Sequence, residues 1–240
     1  MTARNIIAAR RWPTSRLAVL GIAAVLGFAP GWAPAPIPER RAALSGRVSL
    51  LETEQGSNDV GQTVLWLEGT GLPVVTPGKA QVFTENKQFV PRLSIVAVGS
   101  TVSFPNHDPF NHNVFSLSEA GPFDLGLYGR GEGRSVTFTK PGVIKVFCNV
   151  HARMSAYVLV HPGSFAVQPT ADGGFRFNNV PPGRYILRAW HERGGDLSVP
   201  VDARSGDVNG IVVSLDARSY RPVQHLDKEG KSYGARGRRY

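Results

Sequence analysis

"RSVTFTKPGVIKVFC", residues 134–148, consists of two short apolar segments broken by Pro141-Gly142. Past that turn Ile144, Val146 and Cys148 fall on one face of a period-two pattern, which predicts a strand. The same signature extends in both directions. "LSIVAVGSTVSFPN" (93–106) puts Leu93, Ile95 and Ala97 on one face and, after Gly99-Ser100, Val102 and Phe104 on another strand. "SGRVSLLE" (45–52), "QTVLWLEG" (62–69), "AYVLVH" (156–161), "GGFRFNNV" (173–180), "GRYILRAWH" (183–191) and "NGIVVSLD" (209–216) continue the series. No window between them sustains a 3.6-residue apolar period. Many short strands with Pro and Gly turns predict an all-β sandwich architecture.

The chain has 240 residues and a net charge of +9. Room exists for one large or two small domains. The charge is not spread evenly. Residues 1–35 carry Arg4, Arg10, Arg11 and Arg16 and no acid, and residues 217–240 carry seven basic and two acidic side chains. The body between them has sixteen of each sign and is neutral. A folded body with no basic stripe argues against nucleic-acid binding.

The amino-terminal flank has its own explanation. Four arginines precede the apolar stretch Leu17–Phe28, and "APGWAPA" follows with small residues at Ala33 and Ala35. That is the layout of an export signal over residues 1–35. Twelve apolar residues fall short of the ~20 needed to cross a bilayer, so no transmembrane anchor is expected after signal cleavage. An uncleaved anchor is the alternative, kept open by Pro36 after the best cleavage site. Arg10-Arg11 hints at twin-arginine export, although the residues around the pair fit it poorly. The expected location is periplasmic or otherwise exported. In that oxidising setting a lone cysteine cannot pair within its own chain, so Cys148 is expected to be buried or occupied.

Cys148 opens "CNVHARM" (148–154), with His151 three residues on and Met154, the only methionine besides the initiator, three further. Copper in an electron-transfer site takes two imidazoles and a thiolate in a near-trigonal plane, with a weak axial thioether. One loop therefore offers three of four such ligands, and a second histidine must come from elsewhere: His107, His112, His161, His191 or His225. An inert core thiol leaves the spacing of His151 and Met154 unexplained. A thiol protease using His151 as base has poor nucleophile–base geometry along so tight a loop. His107, in a turn-forming "NHDP" run, reads as a solvated loop residue.

"HNVFS" (112–116) together with "CNVHARM" resembles the cupredoxins, the plastocyanin and azurin family of blue copper proteins. The two-residue gaps match an amicyanin-like ligand loop, and "FVPRLSIVAVGSTVSFPN" before His112 is similar to the family's leading strands. The resemblance spans about residues 79–161. It implies a Greek-key sandwich holding one type-1 copper ion on His112, Cys148, His151 and Met154, with Asn113 pinning the two ligand loops together. It also implies that His151, flanked by Ala152 and Arg153, is the solvent-exposed electron port. Arg153 puts a cation where most such ports are apolar, which predicts a redox partner protein with an acidic surface.

Four protein ligands close the coordination sphere and leave no position for substrate, so neither catalytic residues nor an organic cofactor are expected. The predicted role is a one-electron carrier. The alternative is a copper-binding, copper-delivery or partner-binding module without electron-transfer turnover. His191-Glu192 in "AWHER" lacks any accompanying zinc-peptidase motif and reads as structural.

"TADGGFRFNNVPPGRYILRAWHE" (170–192) resembles the carboxypeptidase-regulatory-like, transthyretin-like sandwich, whose opening strands are similar to "SGRVSLLE" and "TVLWLEGTG". The predicted organisation is therefore a discontinuous sandwich from 43–72 plus 162–216, with a cupredoxin domain at 79–161 inserted in it or adjoining it. The arrangement resembles exported methylamine-utilisation or plastocyanin-like proteins, a likeness that fixes no substrate. Residues 217–240, basic and poor in aliphatics, are expected to form a disordered tail.

Overall fold

The computed structural model describes residues 40–52 and 59–233. The expected signal segment, 1–35, lies outside the described residues. The described chain is strand and turn apart from one 3-10 turn at Val60–Gln62, and no helix in it is long and apolar enough to cross a membrane. In chain order the strands are β1 Ala42–Leu51, β2 Val64–Glu68, β3 Lys79–Gln81, β4 Phe83–Glu85, β5 Gln88–Val90 and β6 Leu93–Ala97. There follow β7 Thr101–Asn106, β8 His112–Ser116, β9 Phe123–Tyr128, β10 Gly131–Thr137, β11 Gly142–Cys148 and β12 Ser155–His161. The series closes with β13 Ala166–Val167, β14 Gly174–Val180, β15 Arg184–His191, β16 Gly195–Asp202 and β17 Val208–Asp216. The protein is all-β.

The strands form four sheets, in the orders β14-β1-β17, β13-β2-β15-β16, β10-β7-β4-β5 (with β3 on β7) and β6-β12-β11-β8-β9. The first two are built from strands before residue 79 and after residue 161, and the last two from strands between them. Strand β1 runs antiparallel to β14 and parallel to β17. Its register slips between Ala42 and Leu44 against β14 and between Leu44 and Gly46 against β17. At Gly46 a Cβ would lie 2.0 Å from the Ile211 carbonyl oxygen, so no side chain fits at this bulge.

Alternation explains the packing. Leu44 and Val48 of β1, Leu65 and Leu67 of β2, Leu187 and Ala189 of β15, and Val213 and Leu215 of β17 fill one core. Val102 and Phe104 of β7, Ile144, Val146 and Cys148 of β11, and Ala156, Val158 and Val160 of β12 fill a second. The opposite faces of two central strands are buried as well. Val64 and Trp66 of β2 meet Tyr157 and Leu159 of β12, with Leu93 and Trp190, in a third cluster. Apolar runs such as "VLWL" and "AYVLV" therefore mark strands covered on both faces.

The "PPGRY" turn before β15 has its own lock. Tyr185, buried, donates from its hydroxyl to the Pro181 carbonyl at 2.8 Å. A Cβ on Gly183 would sit 2.5 Å from that hydroxyl, which is why the turn ends in glycine.

One expectation fails. Residues 217–233 are not a disordered tail: they run on from β17 and hydrogen-bond to residues around Cys148, as described below. A segment poor in aliphatics, with Val223 and Leu226 exposed, has little apolar face to bury, and this one docks through polar bonds and ring stacking. Residues 234–240 lie outside the described residues.

Candidate metal centre

Strand β8 begins at His112 and β11 ends at Cys148, and the two strands pair antiparallel with Cys148 opposite Val114. That register brings the His112 ring beside the thiol although 36 residues separate them. The loop after Cys148 folds back at once. Met154 N–H donates to the His151 carbonyl at 3.0 Å, and Cys148 N–H donates to the Met154 carbonyl at 3.2 Å. This tight turn returns the chain into β12 and swings His151 over the sulfur.

Cys148 Sγ lies 3.5 Å from Nδ1 of His112 and 3.6 Å from Nδ1 of His151. The three atoms fall within 4.8 Å of one another and are the only metal-capable His, Cys, Asp or Glu group among the described residues. A first-row metal bonded at about 2.3 Å to sulfur and about 2.0 Å to nitrogen, at trigonal angles, gives S···N edges of about 3.7 Å. The observed edges match that figure. A thiolate with two imidazoles in a trigonal set is the donor chemistry of copper electron-transfer sites, so the residues present fit the ion.

The electrostatics suit these groups to holding a cation. Burial is the main cause that pushes both imidazoles below the usual histidine value, His112 against the opposing pull of Asp108 and His151 with help from His112. Both rings are therefore neutral and keep lone pairs for a metal. Burial pushes the Cys148 thiol up, against N–H groups of Val150, Asn113 and His151 directed at the sulfur. A soft cation held by these residues would take the place of the thiol proton and stabilise the thiolate.

His112 and Met154 are fully buried, Cys148 is fully buried, and His151 is partly exposed. Met154 belongs to the same core cluster as Cys148. His107 is exposed and stacks on Phe83 with ring centroids 5.0 Å apart, away from the thiol. His191 is buried at the far sandwich, 3.6 Å from Asp59, and accepts the Arg193 N–H at 3.2 Å. Asn113 ties the ligand segments together through its backbone carbonyl, which accepts the Asn149 N–H at 2.9 Å. Its side-chain amide donates to Asp124 at 2.6 Å.

Two contributors were not picked out in the sequence. Asp108 is buried, with Oδ2 2.8 Å from Nε2 of His112. Burial works to raise its pKa, but N–H groups of Lys87 and Asn86 and the His112 ring outweigh that and hold it below the usual range. An ionised carboxylate only accepts, so Nε2 carries the proton and Nδ1 faces the sulfur with its lone pair. The signal available was an acid four residues before His112 in a turn-forming run. Phe110 is the second: its ring lies 5.3 Å from that of His112 and 5.5 Å from that of His151.

Comparison with known proteins adds the following. No protein-family model matches the chain, and no curated protein matches it. Solved structures do. A copper-containing nitrite reductase from Thermus scotoductus SA-01 is similar over 48% of this chain at 24% identity and a TM-score of 0.34, and the match spans 28% of that chain's length. A purple cupredoxin from Nitrosopumilus maritimus is similar over 34% of this chain and 99% of its own, at 24% identity and a TM-score of 0.31. A reduced variant of amicyanin is similar over 40% of this chain and 98% of its own, at 21% identity and a TM-score of 0.33. These are partial likenesses, and the functional reading rests on the site's own geometry.

Proposed function

We propose that the protein is an exported copper protein that carries one electron, and that His112, Cys148, His151 and Met154 would hold the ion. The observation that carries this reading is the donor set itself: two Nδ1 atoms at 3.5 and 3.6 Å from one buried thiol. Bound copper supplies one-electron chemistry, cycling between Cu(I) and Cu(II). The chain holds the donor atoms fixed, keeps Cys148 and His112 from water, and leaves His151 at the surface as the exit. A rigid set of four protein ligands leaves no open position for substrate, which favours a carrier over an enzyme.

A groove beside His151 is rimmed by Lys87, Arg92 and Arg153, all exposed. Arg92 is paired with Glu192, while Lys87 lies over the Phe110 ring at 5.2 Å. This rim suits a redox partner with an acidic surface. Copper delivery is the second reading and uses the same ligands. We also propose that 43–72 and 162–216 form one discontinuous sandwich interrupted by the copper domain, because both segments share sheets and a core.

The test is a visible spectrum of the copper-loaded protein. An intense thiolate-to-Cu(II) charge-transfer band is expected, and Cys148→Ser is expected to abolish it. A colourless protein with one Cu(II) per chain overturns the assignment.

A further inference from the structure

The chain beyond β17 packs against β11 and β8, the central strands at whose ends the metal-site loop springs. His225 stacks on Phe147, the neighbour of Cys148, with ring centroids 4.4 Å apart and planes at 22°. Tyr233 packs edge-on against His225 at 5.2 Å. Between them residues 227–231 close on themselves. Buried Asp227 accepts the backbone N–H of Glu229 at 3.0 Å and of Lys231 at 2.8 Å, and donates its own N–H to the Lys231 carbonyl at 2.9 Å. This turn has a defined shape of its own; Lys228 within it makes two bonds outward, and Tyr233 after it makes a third.

Two of these bonds end at Cys148 and its neighbour Asn149, and the third reaches the His112 segment through Asp124. Tyr233 donates its hydroxyl to the Cys148 carbonyl at 2.8 Å. Lys228 N–H donates to the Asn149 side chain at 2.9 Å, one residue past the thiol. The Lys228 ammonium pairs with Asp124 at 2.5 Å, and Asp124 in turn holds the Asn113 amide next to His112.

We infer that residues 225–233 are a strap that positions Cys148 and the start of its loop, so that the geometry of the metal site is set partly by the carboxyl-terminal segment. The physical reason lies in where the sheet ends. The β11–β8 residue pairing ends at Cys148, and past it one backbone bond remains to β8, from Asn149 N–H to the Asn113 carbonyl at 2.9 Å. A hydroxyl on the cysteine's own carbonyl and an amide on the next side chain add two bonds where the ladder runs out. Groups one bond outside the ligands fix ligand orientation in this way. The role rests on the reading of Cys148 as a ligand, and it concerns positioning only: no strap residue touches the metal position.

The test uses the full chain and two variants, Tyr233→Phe and Asp227→Ala, read in two ways. The first readout is the reaction rate of the Cys148 thiol with an aromatic disulfide reagent in metal-free protein, which reports local opening. The second is the charge-transfer spectrum of the copper-loaded protein and its rate of copper loss to a chelator. Asp227→Ala is expected to speed thiol reaction and copper loss by about tenfold or more and to shift the band. Tyr233→Phe is expected to move both in the same direction by less, with the urea midpoint of the metal-free chain nearly unchanged. Variants that match the wild type in both readouts overturn the strap. If Asp227→Ala does not fold, Tyr233→Phe decides. A wild-type chain without the charge-transfer band sinks the copper reading alone, and the thiol kinetics then decide the strap by themselves.

Discussion

Asp108 Oδ2 lies 2.8 Å from Nε2 of His112, on the side of the ring facing away from Cys148. The same carboxylate accepts N–H groups from Asn86 at 2.7 Å and Lys87 at 3.1 Å, so it cannot swing away. A carboxylate on the outer nitrogen makes the inner one a better donor, which favours Cu(II) over Cu(I). Asp108→Asn is expected to raise the reduction potential and weaken Cu(II) binding by about 10- to 100-fold. Voltammetry and competitive titration with a chelator measure both. An unchanged potential in a folded variant would mean that Asp108 only anchors the Asn86-Lys87 turn.

Met154 is buried in the core cluster that contains Cys148. The axial ligand tunes the potential of such sites, so Met154→Gln is expected to lower it and leave copper bound. If the potential stays put, Met154 is packing and the axial direction is filled by something else.

The surface charge beside His151 is testable with small redox reagents. Lys87→Glu with Arg153→Glu is expected to slow oxidation by ferricyanide, an anion, and to speed reaction with a hexaammineruthenium cation. Steering of this kind changes rates by about tenfold or more at low salt and fades as salt is added. Equal effects on both reagents would place the electron exit away from this groove.

Burial sets the pH range of the metal-free fold. His112, His151, His161 and His191 all have folded pKa values pushed below 6.5, chiefly by burial. The unfolded chain therefore binds more protons as pH falls below 6.5, and stability declines there. Cys148 shifts the opposite way, above 9.0, so its contribution is present below that value and is lost as pH rises past it. The urea midpoint of metal-free protein is expected to be highest between these limits and to fall on both sides. A midpoint still rising as pH drops from 6 to 5 contradicts the burial of these imidazoles.

The discontinuous sandwich makes a separable prediction. Leu44 is fully buried in the core shared by β1, β15 and β17. Leu44→Ala is expected to cost about 2–5 kcal/mol and to leave the copper spectrum unchanged. Excising 79–161 and joining the stubs with a Gly/Ser linker is expected to leave a folded, metal-free β protein by circular dichroism. If deleting 43–72 destroys the copper site while 162–216 stays folded, the domains run in series instead.

Local pattern determined the strands and the loop chemistry. Alternation around Pro141-Gly142 and Gly99-Ser100 specified strands because a period-two pattern acts over neighbouring residues only. Cys148, His151 and Met154 were legible for the same reason: their spacing lies within seven residues of one loop. The choice of His112 came from resemblance, and only strand pairing brings its ring to the thiol. Asp108's grip on His112, the burial of both faces of β2 and β12, and the docking of 217–233 were decided by tertiary structure. Each is a contact between groups whose residue types are ordinary where they stand. Tyr233 is 85 residues from the carbonyl it holds, and no local pattern marks it. A basic, aliphatic-poor tail reads as solvated because composition reports only the apolar area it can bury. What holds this one is a set of hydrogen bonds whose partners exist only after β8 and β11 have closed around the thiol.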